Sequence, residues 1–233
     1  MKILEIKDLC KVYGTGETKV DALKNVTFDV EQGEFVAIVG PSGSGKSTLL
    51  HILGGVDSPT SGEVIISGTD ISKLDETKLA IFRRRQIGLI YQFYNLIPNL
   101  TALENVELMK DIVDEDINGL EVLNSVGLKS HANQFPAQLS GGEQQRVSIA
   151  RAVAKNPTML LCDEPTGALD SKTGVLILNL LQNMSNNHNT TVVIVTHNSI
   201  LAEAADKVIR IKNGQIEDII INEYPKKVVD LEW

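Results

Sequence analysis

The chain has 233 residues, 42% of them hydrophobic and 22% charged, enough to bury a core in one large domain or two small lobes. Its 30 acidic and 22 basic residues give a net charge of −8, which argues against nucleic acid as a partner, because phosphate backbones attract lysine and arginine surfaces. There is no run of 18 apolar residues, Glu5 and Asp8 interrupt the stretch where a signal peptide would be apolar, and Cys10 and Cys162 form no disulfide framework, so a reducing cytoplasmic setting without a membrane span is expected.

Residues 3–13 and 24–31 alternate loosely, as antiparallel strands do, with Gly14-Thr15-Gly16-Glu17 as the turn between them. Residues 35–39 are apolar throughout and end at Gly40, and residues 46–54 read as the helix that follows. Residues 64–68 read as a short strand closed by Gly68. Arg83-Arg84-Arg85 reads as a solvated charged face. Three more apolar runs share one design: 87–91 leads to Gln92, 159–162 to Asp163, and 191–195 to Thr196-His197.

Such short apolar runs suit strands buried on both faces of a parallel sheet. Ligands of open α/β sheets sit beyond the carboxyl ends of the strands, so four polar strand ends on one edge predict a site there. Residues 142–155 and 174–184 read as helices, the first ended by Asn156-Pro157 because a residue before proline disfavours helix. Residues 93–156 hold none of the four core strands and read as an inserted helical lobe. Cys162 lies in an apolar run and reads as a buried thiol, while residues 231–233 are either a packed or a frayed end.

Gly40-Pro41-Ser42-Gly43-Ser44-Gly45-Lys46-Ser47-Thr48 matches a phosphate-binding loop in its required setting, between a strand and a helix. Glycines let backbone N–H groups turn toward phosphate, and the helix N-terminus adds its positive end. Lys46 is expected to reach the β- and γ-phosphates, Ser47 to ligate Mg²⁺, and Thr48 to hold the α-phosphate. Asp163-Glu164 at a strand end divides two tasks: Asp163 on the metal and Glu164 as general base for water. Gln92 suits a Mg²⁺ or lytic-water contact, since its amide both donates and accepts. His197 is placed to bond the γ-phosphate and align Glu164. Tyr13 is a candidate to stack on adenine, with Val20 packing on the same base.

Leu139-Ser140-Gly141-Gly142-Glu143-Gln144-Gln145-Arg146 is a glycine-flanked helix start downstream of the phosphate loop. Together with that loop, Gln92, Asp163-Glu164, Ala168-Leu169-Asp170 and His197, in this order, it resembles the ATP-binding-cassette family over essentially the whole chain. The resemblance implies an α/β fold: a P-loop NTPase core with a mostly parallel sheet, an N-terminal antiparallel β subdomain and an inserted α-helical subdomain. The single domain 1–233 would divide into a core of 1–92 and 157–233 and a helical part of 93–156. It further implies ATP and Mg²⁺ as ligands and a head-to-tail homodimer. In that dimer Ser140, Gly141 and Gly142 would bind the γ-phosphate held by the partner's loop, and Asp170 would cross the seam. Gln92 would begin the loop that senses an integral-membrane permease, placing the chain peripherally on the cytoplasmic face of the membrane.

Tyr13-Gly14-Thr15-Gly16-Glu17, Asp21-Ala22-Leu23 and Leu100-Thr101-Ala102-Leu103-Glu104-Asn105-Val106 look like the macrolide-exporter, lipoprotein-release, cell-division and antimicrobial-peptide-resistance subgroup. Tyr91, Glu143 and Leu108-Met109-Lys110 depart from the common pattern, and none of these removes a catalytic group. The resemblance leaves two alternatives to substrate export. One is a regulatory ATPase gating a cell-wall hydrolase or sensor through its membrane partner. The other is a soluble ATP-gated clamp, disfavoured by the acidic charge and by the lack of a coiled-coil insertion or second cassette.

Overall fold

Strands β1 (Lys2–Tyr13) and β2 (Val20–Glu31) pair antiparallel, with Ile6 opposite Phe28 and Tyr13 opposite Val20. The computed structural model describes residues 1–231. The expected turn between the two strands contains a short 3₁₀ segment, Gly16–Thr18. The chain continues through β3 (Phe35–Val39), α1 (Lys46–Leu53), β4 (Ser61–Ile66), β5 (Thr69–Asp70), α2 (Glu76–Gln86) and β6 (Ile87–Ile90). Then come α3 (Ala102–Val113), α4 (Gly119–Ser125) and α5 (Gly141–Val153), with no strand between them. The chain returns as β7 (Met159–Asp163), α6 (Ser171–His188), β8 (Thr191–Thr196), β9 (Lys207–Lys212) and β10 (Gln215–Ile221).

One sheet has the order β2-β1-β4-β5; the other has the order β10-β9-β3-β8-β7-β6. In the second, β9, β3, β8, β7 and β6 are parallel, and β10 closes the edge antiparallel to β9. This larger sheet explains the continuous apolar runs. Along β3, Phe35, Ala37 and Val39 pack with α5 and α6, while Val36 and Ile38 pack with α1 and the antiparallel sheet. Both faces are covered, so alternation of polar and apolar residues disappears from the strand. Cys162 follows the same logic: it is fully buried, and burial pushes its thiol far above the ordinary range.

Several expectations are corrected. A fifth parallel strand, β9, was not foreseen, because Lys207, Arg210 and Lys212 break its apolar run. Lys207 is nevertheless buried, its Nζ donating to Glu34 Oε2 and to the Asp29 carbonyl, both at 3.0 Å. The third foreseen helix is longer than 174–184. It starts at Ser171, where the Asp170 side chain caps it by accepting from Thr173 N, and it ends against left-handed Asn189.

The arginine triplet is not simply a solvated face. It closes α2; Arg83 and Arg84 are half-buried and only Arg85 is exposed, with Arg83 Nη1 donating to the Gly55 carbonyl. At the other end Leu231 is buried, so the described part of the tail is packed; Glu232 and Trp233 lie outside the described residues.

Candidate nucleotide site

The carboxyl ends of β3, β8 and β7 meet around a cavity of about 700 Å³. Its lining includes Ser42, Gly43, Gly45, Lys46, Ser47, Thr48, Glu164 and His197. The loop needs its glycines. Gly43 (φ +74°) and Gly45 (φ +101°) are left-handed, and a Cβ on Gly40 would stand 2.1 Å from the Ile211 carbonyl oxygen. Gly45 caps α1 without a side chain, and the first turn of α1 holds no acidic residue. The helix N-terminus thus keeps its donors and positive end for an external anion.

Lys46 is buried, with Nζ donating to the Gly40 and Pro41 carbonyls at 2.9 Å each, which centres the ammonium on the loop. Ser44 Oγ is buried without a hydrogen-bond partner among the described residues. Ser47 Oγ donates to Asp163 Oδ1 at 3.4 Å. Burial raises the Asp163 carboxyl above its ordinary range, against the opposing effects of Ser47, His51 and Lys46.

Glu164 follows directly, in the left-handed region at φ +46°, its N–H donating to the Val195 carbonyl at 2.9 Å. Its Oε1 accepts from the His197 backbone N–H at 3.0 Å and lies 2.9 Å from His197 Nδ1. A carboxylate only accepts, so Nδ1 carries the proton in this bond and Nε2 takes no part in it. Gln92, beyond β6, lies over the turn after Glu164: a Cβ on Gly167 would come within 2.9 Å of Gln92 Nε2.

Ser140, Gly141, Gly142 and Asp170 are elsewhere and do not line this cavity. Ser140 caps α5 in a reciprocal pair with Glu143, donating from N at 2.7 Å and from Oγ at 2.8 Å to Glu143 Oε2. Those bonds hold the Glu143 carboxyl below its ordinary range. A Cβ on Gly142 would meet Thr173 Cγ2 at 2.2 Å, so the start of α5 and the Asp170 cap of α6 abut.

Of the candidate base contacts, Val20 lines the cavity, while Tyr13 lies beside it with its phenol near Thr48. Asp21, Ala22, Lys24, Asn213 and Gly214 complete the lining, and sequence reasoning gave none of them a role in the site. An Asn-Gly pair by itself signals a turn and not a ligand contact; its placement by Gly214 N donating to the Ser44 carbonyl at 3.0 Å is a tertiary fact.

A family model described as ABC transporter matches residues 23–167. The chain belongs to the ABC transporter family. An uncharacterized ABC transporter ATP-binding protein of Thermotoga maritima is 48% identical over 223 residues, covering 94% of this chain and 95% of that protein. The ABC transporter ATP-binding protein MJ0796 of Methanocaldococcus jannaschii is 47% identical over 224 residues, covering 92% of this chain and 95% of that protein. A dimeric structure of the MJ0796 cassette in a post-hydrolysis state, bound to ADP and Pi, matches with a TM-score of 0.86 at 45% identity, covering 94% of this chain and 98% of that one.

This ABC protein is an ATPase, the ATP-binding subunit of a transporter, and uses ATP with Mg²⁺. Its residues fit that pair. The glycine cradle and the unpartnered Ser44 hydroxyl suit phosphate, and the Ser47–Asp163 pair offers the oxygen donors that Mg²⁺ prefers. Among the described residues no helix is long and apolar enough to cross a membrane.

Proposed function

We propose that two copies of this ATPase close head-to-tail on two ATP molecules and that closure drives a separate membrane permease. The observation that carries this reading is the separation within one chain of the phosphate-loop cavity from Ser140-Gly141-Gly142. A helix N-terminus with two leading glycines is an anion site, yet it has no phosphate loop of its own chain beside it. A second copy supplies the missing half, and the dimeric state of the MJ0796 cassette supports pairing of two copies.

Lys46 and the N–H groups of Gly43 to Thr48 bind the triphosphate. Ser47, Asp163 and Gln92 would hold Mg²⁺, which when bound would neutralise charge on the transferring phosphoryl group. Glu164 takes the proton of the attacking water, with His197 fixing its carboxylate through two hydrogen bonds. Ser140, Gly141, Gly142 and Asp170 act across the seam. Hydrolysis removes the ligand that favours the closed state, and the dimer reopens.

The helical part, 93–156, is proposed to move as a lobe against the core of 1–92 and 157–233, with Gln92 at the joint. Between them runs a groove lined by Arg83, Arg84, Met109, Ile112, Arg151 and Lys155, basic and apolar on an acidic chain, which suits a cytoplasmic permease segment. The peripheral membrane location follows from that contact. Resemblance to the macrolide-exporter and lipoprotein-release subgroup supports export, extraction or mechanical transmission as the work done.

Glu164→Gln tests the closure. Light scattering should find this variant monomeric without nucleotide and dimeric with MgATP; a monomer in saturating MgATP overturns the reading.

A further inference from the structure

Tyr13 is held by more contacts than a surface aromatic requires. Lys11 and Tyr13 are two residues apart on β1 and so project from the same face. Lys11 Nζ sits 4.7 Å from the centre of the Tyr13 ring. The same ammonium donates to Asp57 Oδ1 at 2.6 Å and to the Ser58 carbonyl at 2.7 Å. The Tyr13 hydroxyl donates to the other oxygen of that carboxylate, Asp57 Oδ2, at 2.6 Å.

Asp57 belongs to the turn after α1, its N–H donating to the His51 carbonyl at 3.2 Å. The helix that begins with the phosphate loop is thereby tied to the strand that carries Tyr13. Lys11 keeps only 12% of its side-chain exposure and Asp57 29%, so this is a sheltered pair. Burial works against the charge of Asp57, yet the bonds from Lys11, Tyr13 and the Ser58 N–H outweigh it and hold the carboxyl below its ordinary range.

We infer that Lys11 and Asp57 are positioning residues for the nucleotide base: they fix the Tyr13 ring, one face under the ammonium, so that its other face is a pre-set platform for adenine. The inference rests on the reading of Tyr13 as the base-stacking residue. Tyr13 is 40% exposed, which leaves ring surface for a base. Without the brace the ring gains freedom that ATP binding must remove, and preorganisation of this kind raises affinity without adding a contact to the ligand. The cation over one face also polarises the ring, an effect largest where the pair is desolvated. Neither residue lines the phosphate-loop cavity, so the effect is confined to the part of ATP that carries the base.

The test measures binding of ATP and of inorganic tripolyphosphate, which has no base, to the full chain by calorimetry. The variants are Lys11→Met, Lys11→Arg, Asp57→Asn and Tyr13→Ala, with Lys11→Met and Asp57→Asn repeated in the Tyr13→Ala background. Tyr13→Ala should weaken ATP about tenfold or more, as loss of base stacking does, and leave tripolyphosphate unchanged. Lys11→Met and Asp57→Asn should each weaken ATP roughly threefold to tenfold with tripolyphosphate again unchanged, and Lys11→Arg should restore most of the loss. In the Tyr13→Ala background both should be silent.

If Tyr13→Ala binds ATP as the parent does, the platform reading itself fails. If Tyr13→Ala weakens ATP while Lys11→Met and Asp57→Asn do not, the platform stands and the brace is wrong. Equal losses of ATP and tripolyphosphate would assign the pair a purely structural role and also overturn the inference.

Discussion

Glu164 Oε1 accepts from two groups of His197, the backbone N–H at 3.0 Å and ring Nδ1 at 2.9 Å. The carboxylate at the end of β7 is therefore aimed by the end of β8. The ring proton committed to Glu164 leaves Nε2 as an acceptor in neutral histidine and a donor only in the imidazolium. Aligning Glu164 and donating to a phosphate oxygen together require the protonated ring.

Removing either partner should separate chemistry from binding. Glu164→Gln and His197→Ala are each expected to slow phosphate release by about 10²–10⁴-fold, the usual contribution of a positioned proton acceptor. Calorimetric affinity for ATP should stay within a few-fold of the parent. A parallel collapse of affinity would place Glu164 in binding instead.

Lys46→Ala should weaken ATP binding by roughly 10–100-fold, the scale of one or two charge-assisted hydrogen bonds to phosphate. Gly40→Ala acts differently: its Cβ would stand 2.1 Å from the Ile211 carbonyl oxygen, so the loop or β9 must shift. A stability loss of about 2–3 kcal/mol is expected in chemical denaturation, before any ligand is added. A Gly40→Ala chain as stable as the parent would contradict the tight packing of the loop.

Three bonds tie α5 to the segment beyond β6. Gln145 Nε2 donates to the Tyr91 carbonyl at 3.4 Å, and Arg151 donates to the carbonyls of Asn95 at 2.8 Å and Tyr94 at 3.3 Å. Arg151→Met should release the segment. Amide exchange over residues 91–97 should accelerate while the exchange of β3 and β8 stays unchanged, with a global loss of about 1–2 kcal/mol. Unaltered exchange there would show that Arg151 does not hold the segment.

Lys155 gives a pH signature. Burial lowers its pKa from 10.5 to about 8. The folded chain then gives up this proton near pH 8, whereas the unfolded chain keeps it to about 10.5, so unfolding between these values takes up a proton. Stability attributable to Lys155 therefore rises with pH across that window, and below it the cost of the buried charge is full and constant. From about pH 7 to about pH 9.5 the parent should gain stability relative to Lys155→Met. Parallel denaturation midpoints for the two chains would refute this.

Much of the architecture was legible because burial on both faces erases alternation. Residues 35–39, 159–162 and 191–195 could hardly be anything but central strands, and their polar ends marked the site. β9 was hidden by Lys207, whose charge is matched by Glu34, a pairing no local pattern displays. α2 was hidden because only Leu79 and Phe82 are buried along it. The Tyr13 brace joins residues 46 positions apart in sequence, Lys11 and Asp57, and only the folded chain brings them together.

The central claim is that each ATP is enclosed by the phosphate loop of one chain and the Ser140-Gly141-Gly142 start of α5 in another. Ser42 and Ser140 are both exposed, and each can be replaced by cysteine in a Glu164→Gln, Cys10→Ser background. A mixture of Ser42→Cys chains with Ser140→Cys chains should give a covalent dimer with a short thiol cross-linker only when MgATP is present, and neither chain alone should do so. Cross-linking that ignores MgATP, or no cross-linking in the mixture while light scattering reports a dimer, would contradict the head-to-tail arrangement.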